Sequence, residues 1–265
     1  MNNLKVTITA MRFSAPELDV SWGWLRRILN LPTLAEAVNV IENISLDIVP
    51  GKIVSVVGAS GSGKTTLLRI IAGLETNYEG SVTLCRESII KPDARIYLMP
   101  QAHTLLPWRT VEGNLLFNGG DPETIERILN TFDMLDMKHR YPRTLSGGER
   151  AQVALMCAIC AKPQVLLLDE PFRGIDWHTK ERCMNDLSKW LDETEYNVIV
   201  IFVSHDISDA VFFSDKVVVV SQNPLRLKKS FDCPSNRIMR STELIDLEKQ
   251  VRGSFETRLP TSDLG

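Results

Sequence analysis

Apolar and polar residues alternate from Leu4 to Phe13 and again from Val40 to Ile48, which predicts two half-buried strands. Pro50-Gly51 marks a turn at the end of the second strand. Ile53 to Val57 is a continuous apolar run, the pattern of a strand buried on both faces. A glycine-rich loop and a helical pattern over Thr65 to Gly73 come directly after it. Ile96 to Met99 reads as a further apolar strand, and helical periodicity extends from Asp121 to Ala161, with Asp121-Pro122 as a helix start. Val165 to Leu168 is a buried strand, Lys180 to Leu191 a helix, and Val198 to Val203 and Lys216 to Val220 are strands again. Strands alternating with helices predict an α/β fold with a largely parallel sheet. Ser14 to Leu34, with Trp22, Trp24, Arg26 and Arg27, reads as a loop carrying a short amphipathic helix. Beyond Ser221 the pattern is mixed and predicts no element.

A chain of 265 residues suits one large domain or two small ones. Such a globule buries about three quarters of its unfolded surface and needs no disulfides. The 30 Lys and Arg against 33 Asp and Glu give a net charge of −3, which argues against nucleic acid as a partner. Cys85, Cys157, Cys160, Cys183 and Cys233 show no framework spacing, so reduced thiols in a cytosol are expected. Cys157 and Cys160 form C-x-x-C, but inside the apolar run Val153 to Ala161, where small buried thiols are the better reading than a redox pair. No apolar run approaches the ~18–20 residues of a membrane span, and Met1 to Ala10 lacks the charged start and apolar core of a signal peptide. If the protein works at a membrane, another chain must hold it there.

The chemistry begins at Gly58-Ala59-Ser60-Gly61-Ser62-Gly63-Lys64-Thr65, which fits G-x-x-x-x-G-K-[ST] between a strand and a helix. Glycines let successive backbone N–H groups point at one anion, and the helix start adds free N–H groups and a positive dipole end. Lys64 is expected on the β and γ phosphates and the Thr65 hydroxyl on Mg²⁺. Gly58, Ser60, Gly61, Ser62, Gly63, Lys64, Thr65 and Thr66 are the candidate ATP-binding residues. A metal-holding carboxylate is also needed, and the Val165–Leu168 run ends in Asp169-Glu170, where α/β folds bind ligands. Asp169 is the candidate Mg²⁺ ligand and Glu170 the candidate general base.

Leu145-Ser146-Gly147-Gly148-Glu149 then opens a helical pattern between these two motifs. At this point the chain resembles the ABC ATPase family, whose signature is LSGGQ or LSGGE. Three further positions match it. Gln101 fits the Q-loop, which senses Mg²⁺ and faces the membrane partner. Asp176, in Arg173-Gly174-Ile175-Asp176, fits the D-loop aspartate, and His205, in Val203-Ser204-His205-Asp206, fits the switch histidine that contacts the γ-phosphate. The resemblance covers roughly residues 38 to 220. It implies a RecA-like P-loop NTPase core with an antiparallel β flank (1–101 and 162–225), an inserted helical subdomain (102–161) and a C-terminal tail (226–265). It also implies two ATP molecules between two subunits, each held by Lys64 of one chain and by Ser146, Gly147 and Gly148 of the other.

Leu105-Leu106-Pro107-Trp108-Arg109-Thr110-Val111-Glu112-Gly113-Asn114 resembles the L-L-P-W-x-T-V-x-x-N stretch of nitrate, sulfonate and taurine importer ATPases, as does Asp169-Glu170-Pro171-Phe172. Leu-Pro-Trp is either a rigid apolar corner for a partner's helix or plain core. The implied role is the ATP-hydrolysing subunit of an importer for a small anion. It would sit at the cytoplasmic face of the inner membrane, with permease subunits, a second ATPase subunit and, indirectly, a solute-binding protein. The family pattern departs at several places: Gln152 and Cys157 stand where arginines are usual, Pro100 where phenylalanine is common, and Arg173-Gly174 where Gly-Ala is usual. These changes touch the interface and the Q-loop surroundings, and suggest pairing with a different ATPase chain. Adenine stacking is assigned to Phe13, with Trp22 and Trp24 as rivals. Two other readings compete. A soluble ABC-type ATPase acting on nucleic acid or ribosomes is disfavoured by the single cassette and the lack of basic stretches. A regulatory module without hydrolysis is disfavoured by intact Lys64, Asp169, Glu170 and His205.

Overall fold

A computed structural model describes residues 3–13, 38–102, 105–193, 197–222, 224–233 and 242–256. The expected loop and helix over Ser14–Leu34 lie outside the described residues. Two sheets carry the fold. The first is antiparallel, in the order β2 (Val38–Ile48), β1 (Leu4–Phe13), β4 (Glu79–Leu84), β5 (Glu87–Ser88). The alternation read from the sequence sets its faces: Leu4, Val6 and Ile8 are fully buried, whereas Lys5, Thr7 and Thr9 are exposed.

The second sheet runs in the order β10 (Leu227–Asp232), β9 (Lys216–Val220), β3 (Ile53–Val57), β8 (Ile199–Ser204), β7 (Val165–Asp169), β6 (Ile96–Met99). All its pairs are parallel except the edge pair β10–β9. Every residue of β3, β7 and β8 is buried, as expected of a sheet covered on both faces. Register levels the strand ends: Val57 pairs with Ser204 and Asp169 with Val203. The loops after β3, β7 and β8 therefore open on one edge, at their C-terminal ends.

Helix α1 (Lys64–Ile71) follows β3 and buries Leu67, Leu68, Ile70 and Ile71 in a core shared with the antiparallel sheet. Between β6 and β7 lie α2 (Val111–Phe117), α3 (Pro122–Thr131) and α4 (Gly147–Cys160). Asp121 does cap α3, its carboxylate accepting from the Thr124 N–H at 2.9 Å. The long helix suggested by periodicity from Asp121 to Ala161 is, however, broken. Asp133 turns left-handed at φ 52°, and two 3₁₀ turns, Leu135–Met137 and Pro142–Thr144, intervene. Phe132 and Met134 are fully buried, so the apolar rhythm persists after the helix has ended. Helix α4 is buried on all sides from Ala151 to Cys160, and α5 (Trp177–Glu193) packs beside it.

The stretch after Ser221 is structured where described. It contributes β10 and α7 (Thr242–Glu256), which packs by Leu247, Val251 and Phe255 against α6 (Ile207–Phe213) and β9. Those three residues stand four apart, a helical signal that the mixed composition of the tail hid. The cysteine reading agrees with the structure: Cys157, Cys160 and Cys183 are buried free thiols. Burial pushes Cys160 up to about 12, with Asp121 adding to it. No helix of the described residues is long and apolar enough to cross a membrane.

Candidate functional site

The loop after β3 wraps its own lysine. Gly61 and Gly63 take φ of 74° and 100°, a region where a Cβ costs roughly 1–2 kcal/mol. A Cβ on Gly58 would stand 2.7 Å from Val220 Cγ2, so this position also needs the bare backbone. Lys64 is 4% exposed, and its Nζ donates to the carbonyls of Gly58 and Ala59, both at 2.8 Å, with Ser62 Oγ at 3.4 Å. Desolvation holds this ammonium below its ordinary value, opposed by the nearby carboxylates of Glu170 and Asp169. Gly63 caps α1 without a side-chain hydrogen bond. Ser60 and Thr65 are exposed and Thr66 half-buried at the mouth of the loop. A buried cation beside an uncapped helix start fits a phosphate group.

Asp169 ends β7 almost fully buried. Burial pushes its carboxyl up, the Thr65 hydroxyl that hydrogen-bonds to it pulls it down, Glu170 raises it and Lys64 lowers it. Thr65 and Asp169 thus bring together two hard oxygen donors, the set that suits Mg²⁺. Glu170 follows at φ 46°, uncommon for a residue with a side chain. Its N–H donates to Val203 O at 3.0 Å, which ties the kink to β8. His205, just past β8 and 53% exposed, places Nδ1 3.3 Å from Glu170 Oε2. Arg173 NH1 donates to the same oxygen at 3.3 Å. Beneath them Lys180 donates to the buried Asp209 at 2.9 Å, and these groups line one cavity with Phe172 and Phe202.

Ser146 caps α4 reciprocally: its Oγ accepts from the Glu149 N–H, and the Glu149 carboxylate accepts from the Ser146 N–H. Ser146 and Gly147 are exposed, and a Cβ on Gly147 would meet nothing within 4 Å. Gly148 is different, since a Cβ there would come within 2.8 Å of Thr179 Cγ2. Asp176 is exposed, and its carboxylate accepts from the Thr179 N–H at 3.1 Å, a bond that holds it below the usual carboxylate range. The Ser146–Gly148 segment and Asp176 are therefore adjacent on the surface, through Thr179.

The structure brings Lys64, Thr65, Asp169, Glu170 and His205 together on one sheet edge. It does not join Gln101 to them by a described hydrogen bond; Gln101 is exposed, two residues past β6, and residues 103–104 lie outside the described set. Phe13 is the last residue of β1, paired with Val38; its side chain, and Trp22 and Trp24 entirely, lie outside the described residues. Trp108 is 71% exposed, so it is not core. Three sets of contacts were not readable from the sequence, although Asn114 and Arg173 were themselves singled out there. Asn114, 1% exposed, ties the Leu-Pro-Trp loop by accepting from the Leu106 N–H at 2.8 Å and donating to the carbonyls of Leu106 and Thr110 at 3.2 and 2.9 Å. Lys180 with Asp209 underlies His205, and Arg173 reaches Glu170. Only the place of Arg173, three residues after Glu170 across a proline, was a usable signal.

A parallel sheet with a lysine-bearing phosphate loop on one strand end and paired acids on another defines a P-loop ATPase. The ABC transporter family matches residues 41–173. The aliphatic sulfonates import ATP-binding protein of Bacillus cereus is 34% identical over 226 residues, 83% of this chain and 89% of that protein. The Bacillus subtilis protein of the same name is 36% identical, covering 82% and 87%. An uncharacterized ABC transporter ATP-binding protein of Methanocaldococcus jannaschii is 35% identical, covering 81% and 83%. Among solved structures, a dimeric bacterial ABC transporter cassette superposes with a TM-score of 0.67 at 25% identity, covering 88% of this chain and all of that one. A bacterial ABC exporter with ATP bound superposes at 0.69 with 18% identity and shares the fold alone. The chain belongs to the ABC transporter ATP-binding family and is an ATPase similar to the subunits that serve sulfonate importers.

Proposed function

We propose that this chain is the ATP-hydrolysing subunit of an importer for a small anion of the sulfonate, nitrate or taurine kind. In this role it docks on permease subunits at the cytoplasmic face of the membrane and pairs with a second ATPase subunit, its own copy or a different chain. The observation that carries the reading is the convergence of Lys64, Thr65, Asp169, Glu170 and His205 on one sheet edge. The names of the relatives support the solute class.

ATP is the substrate. Lys64 is assigned to its outer phosphates, exchanging two loop carbonyls for phosphate oxygens, and the N–H groups of Gly61 to Thr66 to the rest of the phosphate chain. Thr65 and Asp169 are assigned to Mg²⁺, which supplies charge neutralisation between the phosphates when bound. Glu170 orients a water and accepts its proton. His205 presents its Nε2 side toward the γ-phosphate while Nδ1 stays with Glu170. The exposed start of α4, with Ser146 and Gly147 directed to solvent, is assigned to the nucleotide held by the paired subunit, and Asp176 beside it to the same interface. The exposed Trp108 and Phe117, with Arg109 5.3 Å over the Phe117 ring, are assigned to the permease.

Glu170→Gln tests this reading. The expected result is retained ATP binding, a dimer trapped by nucleotide in light scattering, and a loss of turnover of about 10²-fold or more. Unaltered turnover removes Glu170 from the mechanism.

A further inference from the structure

The four residues Glu170-Pro171-Phe172-Arg173 form a tight turn, closed by the Arg173 N–H on the Glu170 carbonyl at 3.2 Å. Proline at the second position presets its backbone. Phe172 is 2% exposed and packs its ring 5.9 Å from that of Phe202, so the turn is anchored in the core. Gly174 then takes φ 74°, with nothing near a Cβ, and leads the chain away toward Asp176. The turn points Arg173 back at the acid it follows. Its NH1 donates to Glu170 Oε2 at 3.3 Å, and His205 Nδ1 lies 3.3 Å from the same atom. A carboxylate oxygen offers two lone-pair directions. Two nitrogens therefore lie against Oε2 and fix the direction in which the carboxylate points. They also hold the carboxylate from two sides, and the kinked backbone at Glu170 limits its swing.

We propose that Arg173 is a positioning residue that holds Glu170 within its own chain and restrains hydrolysis until the loop from Arg173 to Asp176 moves. This rests on Glu170 being the base, as proposed above. The ion pair is short-range and local, and its cation is 56% exposed at the surface that also carries Asp176. A second subunit closing on Asp176 can therefore withdraw the guanidinium directly. The position is also one where the family resemblance leads to glycine, which has no side chain for such a hold. The restraint is thus a property of this chain and not of the shared machinery.

The test is steady-state hydrolysis of Mg·ATP by the full-length chain as wild type, Arg173→Ala, Arg173→Lys and Glu170→Gln. Melting temperature and binding of a fluorescent ATP analogue are measured on each. Arg173→Ala is expected to raise kcat about three- to tenfold, well below the roughly 10²–10⁴-fold that a proton-transfer group itself commands, with KM and nucleotide affinity unchanged. Arg173→Lys, which keeps a cation within reach, stays nearer wild type. Turnover of Arg173→Ala at or below wild type, or a change carried by KM alone, overturns the proposal. Glu170→Gln reports separately. If it is inactive while Arg173→Ala is no faster, the base stands and the restraint falls. If Glu170→Gln turns over like wild type, the base itself is wrong and the restraint falls with it.

Discussion

Single residues decide this site by burial and by what burial leaves unpaired. Lys64 is enclosed by carbonyls of its own loop, and Asp169 by the hydroxyl of Thr65. Each is a charge taken out of water and partnered by groups that a nucleotide and its metal can replace. Asp186, on α5, has no such arrangement: its Oδ2 is buried with no hydrogen-bond partner, and burial raises its carboxyl from 3.8 to about 6, against the opposing pull of Arg182 and Lys189. An acid whose folded value lies above its unfolded one keeps its proton longer in the native state. Stability from this group is therefore fully present below about pH 3.8, declines as pH rises toward 6 and is gone above it. Asp186→Asn removes the dependence. Its melting temperature is expected to exceed that of wild type by about 2–4 °C at neutral pH, with the gap closing toward acid pH. Scanning calorimetry across that window checks it, and a constant gap counts against the assignment.

At the scale of elements, close backbone approaches hold the antiparallel sheet and the phosphate loop in register. Gly80 on β4 takes φ 137°, and a Cβ there would stand 2.1 Å from the Thr7 carbonyl of β1. Since the obstacle is backbone, no rotamer change relieves it. Gly80→Ala is expected to destabilise the chain by about 2 kcal/mol or more, read as a lower denaturation midpoint in urea. Gly147→Ala, at an open position of α4, should shift the same midpoint by about a quarter as much. Helices were legible where one face is apolar and a cap is present, as in α3 after Asp121. The break between α3 and α4 was not. The residues that cause it, Asp133 in a left-handed turn and Pro142 in a 3₁₀ turn, sit among apolar positions that keep a helical spacing. The strand β10 was missed because an edge strand needs only one anchored side, here Phe231 with 8% exposure among polar neighbours.

The whole molecule presents two surfaces with different purposes in the proposed assembly. Ser146, Gly147 and Asp176 form one, next to each other through Thr179. Trp108, Phe117 and Leu116 form the other, with exposures of 71%, 62% and 47%. Trp108 lies in the loop that leads into the helix carrying Leu116 and Phe117, and an exposed apolar patch of this kind suits a partner contact. Trp108→Ala is expected to lower the chain's retention on its permease in detergent pull-downs, with about 2 kcal/mol lost as for a central interface tryptophan. Full retention removes Trp108 from that contact.

Much of this was set by the order of residues alone. A run of glycines before Lys64, an apolar strand closing in Asp169-Glu170 and the Ser146-Gly147-Gly148 helix start are local patterns, because phosphate binding uses backbone N–H groups that neighbouring residues supply. The strand alternation of β1 and the unbroken apolar runs of β3, β7 and β8 likewise declare their burial before any fold is known. What tertiary structure alone decided is which distant pieces share an edge. His205 meets Glu170 because β8 lies beside β7 with Asp169 level with Val203. Trp108 faces solvent because Asn114 pins its loop from a neighbouring helix. Arg173 meets Glu170 at the surface because a buried phenylalanine fixes the turn between them. Strand order and side-chain burial are properties of the packed chain, and no window along the sequence contains them.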